Sequence, residues 1–296
     1  MLVSQQLSYK RRVFLWGNNI FLLGLAILCV LPLVHVLALS FSSSTAAAAG
    51  AVRLWPVDFT WKSYEYVMNR AAFWRSMWVS VQRILLGGAL NLILTVSIAY
   101  PLSKDHSRFR GRTVYVWIFF FSTLFSGGLI PLYMLISNLK LMDTIWALVL
   151  PGAVPVFNII LMLNFFRQIP RELEEAAFID GAGHWKTLLR VYIPCSLASI
   201  ATVTLFSVVG HWNSYFDGLI YSNFPENYPL QSYLQTVVVA RDLTNLTGDD
   251  WKNLQNISER TMKAAQIFVG AVPILCFYPF LQRYFVKGII VGSVKG

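Results

Sequence analysis

Glu175-Ala-Ala-Phe-Ile-Asp-Gly-Ala-Gly-His-Trp-Lys-Thr-Leu-Leu-Arg-Val-Tyr-Ile-Pro194 interrupts an otherwise apolar chain, and its reading decides what the flanking segments must be. Just upstream, Pro170 and the acids Glu172, Glu174 and Glu175 suit the start of a helix. A fixed φ and negative charge both favour the end where backbone N–H groups lack partners. Ala176 and Ala177 favour helix and leave little side-chain bulk. Gly181 and Gly183 then break the helix and let another backbone come close. Val191, Ile193 and Pro194 lead into a new apolar run. Residues 167–194 therefore read as a short helix with a small-residue face, a turn and a second short helix. Such a unit is a compact plug for a groove in another protein.

The rest of the chain is membrane-like. It has 56% hydrophobic residues, 13% charged residues and a mean hydropathy of +0.56, outside the range of ordinary soluble domains. An aromatic share of 15% with 10 Trp fits anchoring at two membrane–water interfaces. The net charge of +10 does not point to nucleic acid, because the basic residues lie between apolar runs with no aromatic-interleaved patch. Cys29, Cys195 and Cys276 fall in or beside apolar segments, with neither a disulfide framework nor a metal spacing, and read as packing residues.

Six runs are long enough to cross a hydrocarbon core of about 30 Å at about 1.5 Å per residue. They cover about 13–41, 76–102, 114–137, 144–166, 195–222 and 264–285, making one membrane domain of residues 1–296. The first follows Lys10-Arg11-Arg12 and is longer than a signal-peptide core, so it reads as a retained helix. Residues 42–75 are mixed and suit a short amphipathic segment on the outer surface. Gly127-Gly128 and Pro131 interrupt the third span, Pro151 and Pro155 the fourth, and Pro273 and Pro279 the sixth. Neighbouring helices in a bundle can satisfy the carbonyls that such breaks release.

Charge sets the orientation. The N-terminus, the loop 104–112, the loop 167–194 and the C-terminus together hold 14 Lys and Arg against five acids, whereas the opposite side holds nine of each. By the positive-inside rule, both termini and the Glu175–Pro194 loop are cytoplasmic. A catalytic reading of the loop fails. Lys186-Thr187 would need Gly at 180 and 185 to complete a phosphate-binding loop, and those positions are Asp180 and Trp185. No other stretch supplies Gly-Lys-Ser/Thr, so the chain is no ATPase and holds no catalytic residue of that kind.

Glu175-Ala176-Ala177, Asp180-Gly181-Ala182, Leu188, Val191, Ile193 and Pro194 together resemble the signature loop of binding-protein-dependent ABC-importer permeases. Leu188 replaces the usual aromatic, and Ala198 stands where a second proline is common, which makes the loop's exit less rigid. Phe125-Ser-Gly-Gly-Leu-Ile-Pro131, Asn164-Phe-Phe-Arg-Gln-Ile-Pro170, Gly210-His-Trp-Asn-Ser214 and Tyr228-Pro-Leu-Gln231 extend the resemblance to the carbohydrate-importer branch usually called LplC-like or YtcP-like. The resemblance implies an all-α integral-membrane permease of the type I importer fold, with six transmembrane helices and coupling helices between spans 4 and 5. It implies a bacterial inner-membrane location and a second homologous permease, making a heterodimer rather than a homodimer. It also implies two ATPase subunits that bind ATP and Mg, and an extracytoplasmic solute-binding protein that could meet residues 223–263. The chain itself would need no cofactor and no metal. Its cargo would be an oligosaccharide or polysaccharide fragment, with acidic glycans such as alginate in the set. Glu175, Ala176, Ala177, Asp180, Gly181 and Ala182 would couple to the ATPase, Glu175 meeting a basic residue there.

Polar groups inside spans are costly and usually face the bundle interior. The candidates are Arg83, Asn91, Asn158, Asn164, His211, Asn213 and Asp217. Asn213 and Asp217 share a helical face, with Trp212, Tyr215 and Phe216 nearby as faces on which a sugar could stack. Trp212 and Tyr215 equally suit an interfacial belt, Asn158 a cap for the breaks at Pro151 and Pro155, and Arg83 either an acidic sugar or Asp217. Two other classes are open. An ion-gradient carrier would need more spans and a proton relay, and a glycan-processing enzyme would need Asp217 and His211 as its acid–base pair.

Overall fold

A computed structural model describes residues 9–238 and 260–276, which are helical or irregular without a strand among them. The chain divides into two compact units, Met1–Arg70 with Asp242–Val269 and Ala71–Arg241 with Gly270–Gly296.

In the first unit, α1 (Tyr9–Ser40) runs 32 residues, about 48 Å at 1.5 Å per residue. Almost all of its apolar side chains are exposed, as expected of a helix whose solvent is lipid. Beyond it the chain does not form one amphipathic helix. Ser43 caps α2 (Ser44–Ala48), accepting from the Ala46 N–H at 3.3 Å, and α3 (Lys62–Met68) follows a turn tied back by the Thr60 N–H to the Phe41 carbonyl at 2.9 Å. Phe41 stacks on Phe59 at 5.3 Å and on Tyr64 at 4.7 Å, and the Tyr64 hydroxyl meets Ser40 Oγ at 2.7 Å. The segment is thus a small folded cap built on aromatic packing.

The second unit is organised around α4 (Ala71–Ser103), a 33-residue helix. Its buried stripe, Ser76, Ser80, Arg83, Gly87, Asn91, Thr95 and Ala99, recurs every three or four positions and is mostly small. Small residues let membrane helices approach closely, where apolar burial alone supplies little drive. At Gly87 a Cβ would lie 2.5 Å from His211 Nε2, so only glycine fits.

Three of the expected spans are bent. The third is α5 (Arg112–Leu124) and α6 (Leu129–Asn138), set at 109°. Gly128 takes φ +87°, a backbone region L-residues avoid, which explains why the Gly-Gly pair and not Pro131 makes the turn. The fourth, α7 (Ile145–Val149) continued to Gly152 and α8 (Val156–Arg167), bends by 48° between its prolines. Asn91 caps that break rather than Asn158: its Nδ2 donates to the Gly152 carbonyl at 2.7 Å and to Ala153 at 3.0 Å. The loop follows as α9 (Arg171–Ile179), α10 (His184–Thr187), a wide π turn over Leu188–Tyr192 and α11 (Ile193–Cys195). The wide turn precedes Pro194, whose ring cannot fit a regular turn. An 86° bend then leads to α12 (Leu197–Asn213), and after a break at Ser214-Tyr215 come α13 (Phe216–Tyr221) and α14 (Leu230–Val238). The expected fifth span is therefore two helices, and the expected sixth begins in a helix over residues 260–276 and lies outside the described residues only beyond 276. Cys29, Cys195 and Cys276 are free and exposed, not packed as expected.

Asn91→Ala should leave the Gly152 and Ala153 carbonyls unpaired and destabilise the chain by about 1–3 kcal/mol. A lowered thermal midpoint in detergent is the expected reading.

Candidate functional site

Two polar clusters stand out in the second unit. One ties the loop of residues 167–194 to the end of α4, and the other lies within the helices.

α9 starts after Pro170 with Glu172 and Glu174 in its first turn, where they complement the dipole. Its faces differ. Glu174, four residues before the half-buried Phe178, is 4% exposed, whereas Glu175 and Ile179 face outward. Glu174 Oε1 receives Lys104 Nζ at 2.6 Å, and its Oε2 receives the Tyr192 hydroxyl at 2.9 Å and pairs with Arg108 Nη1 at 3.3 Å. Lys104 also donates to the Tyr192 oxygen at 2.9 Å and sits 3.9 Å from the Tyr100 ring centre and 4.1 Å from that of Tyr192. A buried charge is tolerable only when paired and fully hydrogen-bonded, and this carboxylate has both. Burial works against the charged form of Glu174, but the Lys104 and Tyr192 hydrogen bonds and the nearby cations outweigh it and hold the carboxyl below its ordinary value. Burial and the Glu174 charge push the Tyr192 phenol up.

α9 ends in a Schellman motif. The Ala182 N–H bonds to the Ala177 carbonyl at 2.9 Å, the Gly181 N–H bonds to Phe178 at 3.0 Å, and Gly181 takes φ +76°. The Asp180-Gly181-Ala182 signature is thus a helix stop, with Asp180 exposed at the cap and Ala182 half-buried. Glu175 meets Arg108 Nη2 at 3.0 Å with both side chains well exposed, and Ala176 is exposed beside it. Ile179 is 86% exposed and Trp185 is 70% exposed, so the loop's outer face carries large apolar groups while its inner face is locked.

Within the helices, Arg83 pairs with Asp217, which also accepts from Ser214 Oγ at 3.0 Å and from the Gly218 N–H at 2.9 Å. Of the partners open to Arg83 in the sequence, Asp217 is the one it has. Arg83 Nε donates to His211 Nδ1 at 3.4 Å, and His211 Nε2 lies 2.7 Å from Asn91 Oδ1. Because Arg83 can only donate, His211 must accept through Nδ1 and donate through Nε2 to Asn91. Arg83 thus stands between Asp217 and His211, which leaves neither as a free acid–base pair. Asn158 donates to Ser207 Oγ at 3.2 Å, and Trp212 is buried with its Nε1–H on the Gly270 carbonyl at 3.2 Å. Asn213, Asn164 and Tyr215 are exposed, Tyr215 packing edge-on against Phe216 at 6.5 Å. The network joins Arg83, Asn91, His211 and Asp217 but not Asn158, Asn213, Trp212 or Tyr215.

Sequence reasoning singled out Glu175 and passed over Glu174, Lys104, Arg108 and Tyr192. One signal was available: Glu174 shares a helical face with Phe178, whereas Glu175 shares one with Ile179.

Residues 78–291 match the family described as "Binding-protein-dependent transport system inner membrane component". The chain belongs to this family. It is 42% identical to Protein LplC of Bacillus subtilis (strain 168), over 96% of each chain. It is 37% identical to the same organism's polygalacturonan/rhamnogalacturonan transport system permease protein YtcP, over 97% of this chain and 100% of that one. Among solved structures, a chain of a bacterial ABC transporter involved in the import of the acidic polysaccharide alginate superposes with a TM-score of 0.86 at 34% identity, covering 94% of this chain and 99% of that one. The fold is therefore that of the type I ABC-importer permeases. A family of inner-membrane transport components makes this chain a permease and not itself an enzyme.

Glu174→Ala should cost about 3–5 kcal/mol of stability by stranding Lys104, whereas Glu175→Ala should cost under about 1 kcal/mol, as an exposed pair does. Thermal unfolding in detergent separates the two. Because the folded-state value of Glu174 is depressed, its contribution is full above the ordinary carboxyl value of about 4.3 and is lost as pH falls below it. The gap in thermal midpoint between wild type and Glu174→Gln should therefore hold at neutral pH and close on acidification below about pH 4.

Proposed function

We propose that this chain is the transmembrane permease subunit of an ATP-driven, binding-protein-dependent carbohydrate importer, and that residues 167–194 are its coupling loop. The observation that carries the reading is the two-faced α9. One face is fixed to the end of α4 through buried Glu174, the other offers Glu175 and Ile179 outward, and Trp185 of α10 is exposed as well. Exposed large apolar groups on a rigid support suit a groove in a partner. A loop held this way transmits a push from the partner to α4 instead of absorbing it.

On this reading six spans cross the membrane, with both termini and the loop on the cytoplasmic side as the basic residues favour. Two ATPase subunits bind ATP and Mg, a second homologous permease completes a heterodimer, and an extracytoplasmic solute-binding protein delivers cargo. Most of the stretch that would meet it, 239–259, lies outside the described residues. The cargo class is an oligosaccharide or polysaccharide fragment. The names of YtcP and of the alginate importer both point to acidic polysaccharides, which supports an acidic glycan here. Asn213 and Tyr215, exposed at the α12–α13 break, are the proposed substrate contacts. Arg83, Asn91, Asn158, Asp217 and Trp212, each already bonded within the chain, are assigned to holding the helices in place.

The test is substrate-stimulated ATP hydrolysis by the assembled complex. Ile179→Asp, placing a charge where an interface anchor is expected, should weaken coupling about 30-fold, the equivalent of about 2 kcal/mol for a hot-spot residue. The thermal midpoint of the chain should not move. Normal coupling in Ile179→Asp and Glu175→Ala alike would remove the coupling-loop assignment, and transport without any ATPase would favour an ion-gradient carrier.

A further inference from the structure

A polar cavity of about 280 Å³ lies at the end of α8, lined in part by Glu174 and Tyr192. Four cations from three chain segments line it: Lys104 and Arg108 after α4, Arg167 in the last turn of α8, and Arg171 at the start of α9. Its lining acids are Asp105 and Glu174. Glu174 is saturated by Lys104, Tyr192 and Arg108. Asp105 meets Arg171 at 2.6 Å, but both side chains are about half exposed or more, so that pair is weak and easily exchanged. Among the described residues, no carboxylate pairs with Arg167. The lining therefore keeps a surplus of two positive charges, carried mainly by the two arginines that flank Pro170. Phe166, in the last turn of α8, and Ile169 just beyond it supply an apolar side.

A pocket of guanidinium groups with an apolar edge fits a phosphate group, because the planar fork matches phosphate oxygens and is weakly hydrated. The volume falls at the small end of small-molecule sites, enough for a headgroup and too little for an oligosaccharide. Basic pockets at the cytoplasmic ends of membrane helices take anionic lipid headgroups for these reasons.

We propose that this cavity binds an organic phosphate, as the headgroup of an anionic phospholipid or as a soluble phosphate ester, held by Arg167 and Arg171. Bound there, the phosphate bridges the end of α8 to the start of α9 and stiffens the loop's root beside the Glu174–Lys104 pair, which also lines the cavity. The placement at the inner leaflet rests on the orientation proposed above, but the chemistry of the site does not.

The test uses the full-length chain in nanodiscs of phosphatidylcholine with or without phosphatidylglycerol, bound lipid being counted by native mass spectrometry. Both leaflets of such a disc have one composition, so the result is independent of orientation and of transport. Wild type should retain phosphatidylglycerol, and Arg167→Gln with Arg171→Gln should weaken retention about 30-fold, each lost cation near an anionic group counting for about a fivefold effect. Arg167→Lys with Arg171→Lys keeps the charge and should retain the lipid, which separates loss of binding from loss of fold. Added glycerol phosphate that displaces the lipid assigns the site to a soluble ester, and no displacement assigns it to the membrane, both upholding the phosphate site. Phosphatidylglycerol retained no better than phosphatidylcholine, or retained equally by the double Gln variant, overturns it.

Discussion

The buried Glu174 carboxylate is the constraint on which the loop of residues 167–194 depends. A lone carboxylate at 4% exposure would carry a large desolvation cost. It is stable only because Lys104 arrives from the end of α4, Tyr192 from the turn before Pro194, and Arg108 from the short basic loop. The 104–108 loop, α9 and the turn before Pro194 are thereby brought to one atom group. The Lys104 ammonium in turn rests against the Tyr100 and Tyr192 rings, so its charge is shared by a carboxylate, a phenol oxygen and two π faces. Removing any one member leaves another unpaired.

The helices are held by the same logic at a deeper level. Breaks at Pro151 and Pro155, at Ser196 and at Ser214-Tyr215 release carbonyls that lipid cannot satisfy. Asn91 answers two of them, His211 orients Asn91, and Arg83 orients His211 while neutralising Asp217. Gly87 makes room for the imidazole. The chain from Asp217 to Gly152 is therefore one continuous set of donors and acceptors running beside α4. Polar residues that look like a substrate path in a linear sequence turn out to be mostly engaged within the chain, while Asn164, Asn213 and Tyr215 face outward.

Much of this was legible in residues alone. The apolar runs and the Glu-Ala-Ala…Asp-Gly-Ala signature point to the permease class, and the glycine and proline breaks mark where spans three and four bend. The sharp angle at Phe125–Gly128 was not legible, because a glycine permits positive φ without requiring it. Nor was the break at Ser214-Tyr215, which no proline or glycine marks. The choice between Glu174 and Glu175 depends on which face of α9 meets α4. That choice is settled by the tertiary position of Lys104, 70 residues upstream. Glu175 carries the recognisable signature, but the buried link to the end of α4 passes through its neighbour.

The most direct test of that link is a double-mutant cycle on Glu174→Ala and Lys104→Ala, read as substrate-stimulated ATP hydrolysis by the assembled transporter. If the two side chains work as one joint, each single variant should lose most of the coupling and the double variant should lose little more. The interaction energy should then be about 1 kcal/mol or greater, as for residues in one buried network. Losses that add to within about 0.5 kcal/mol, as they do for independent sites, would contradict the account.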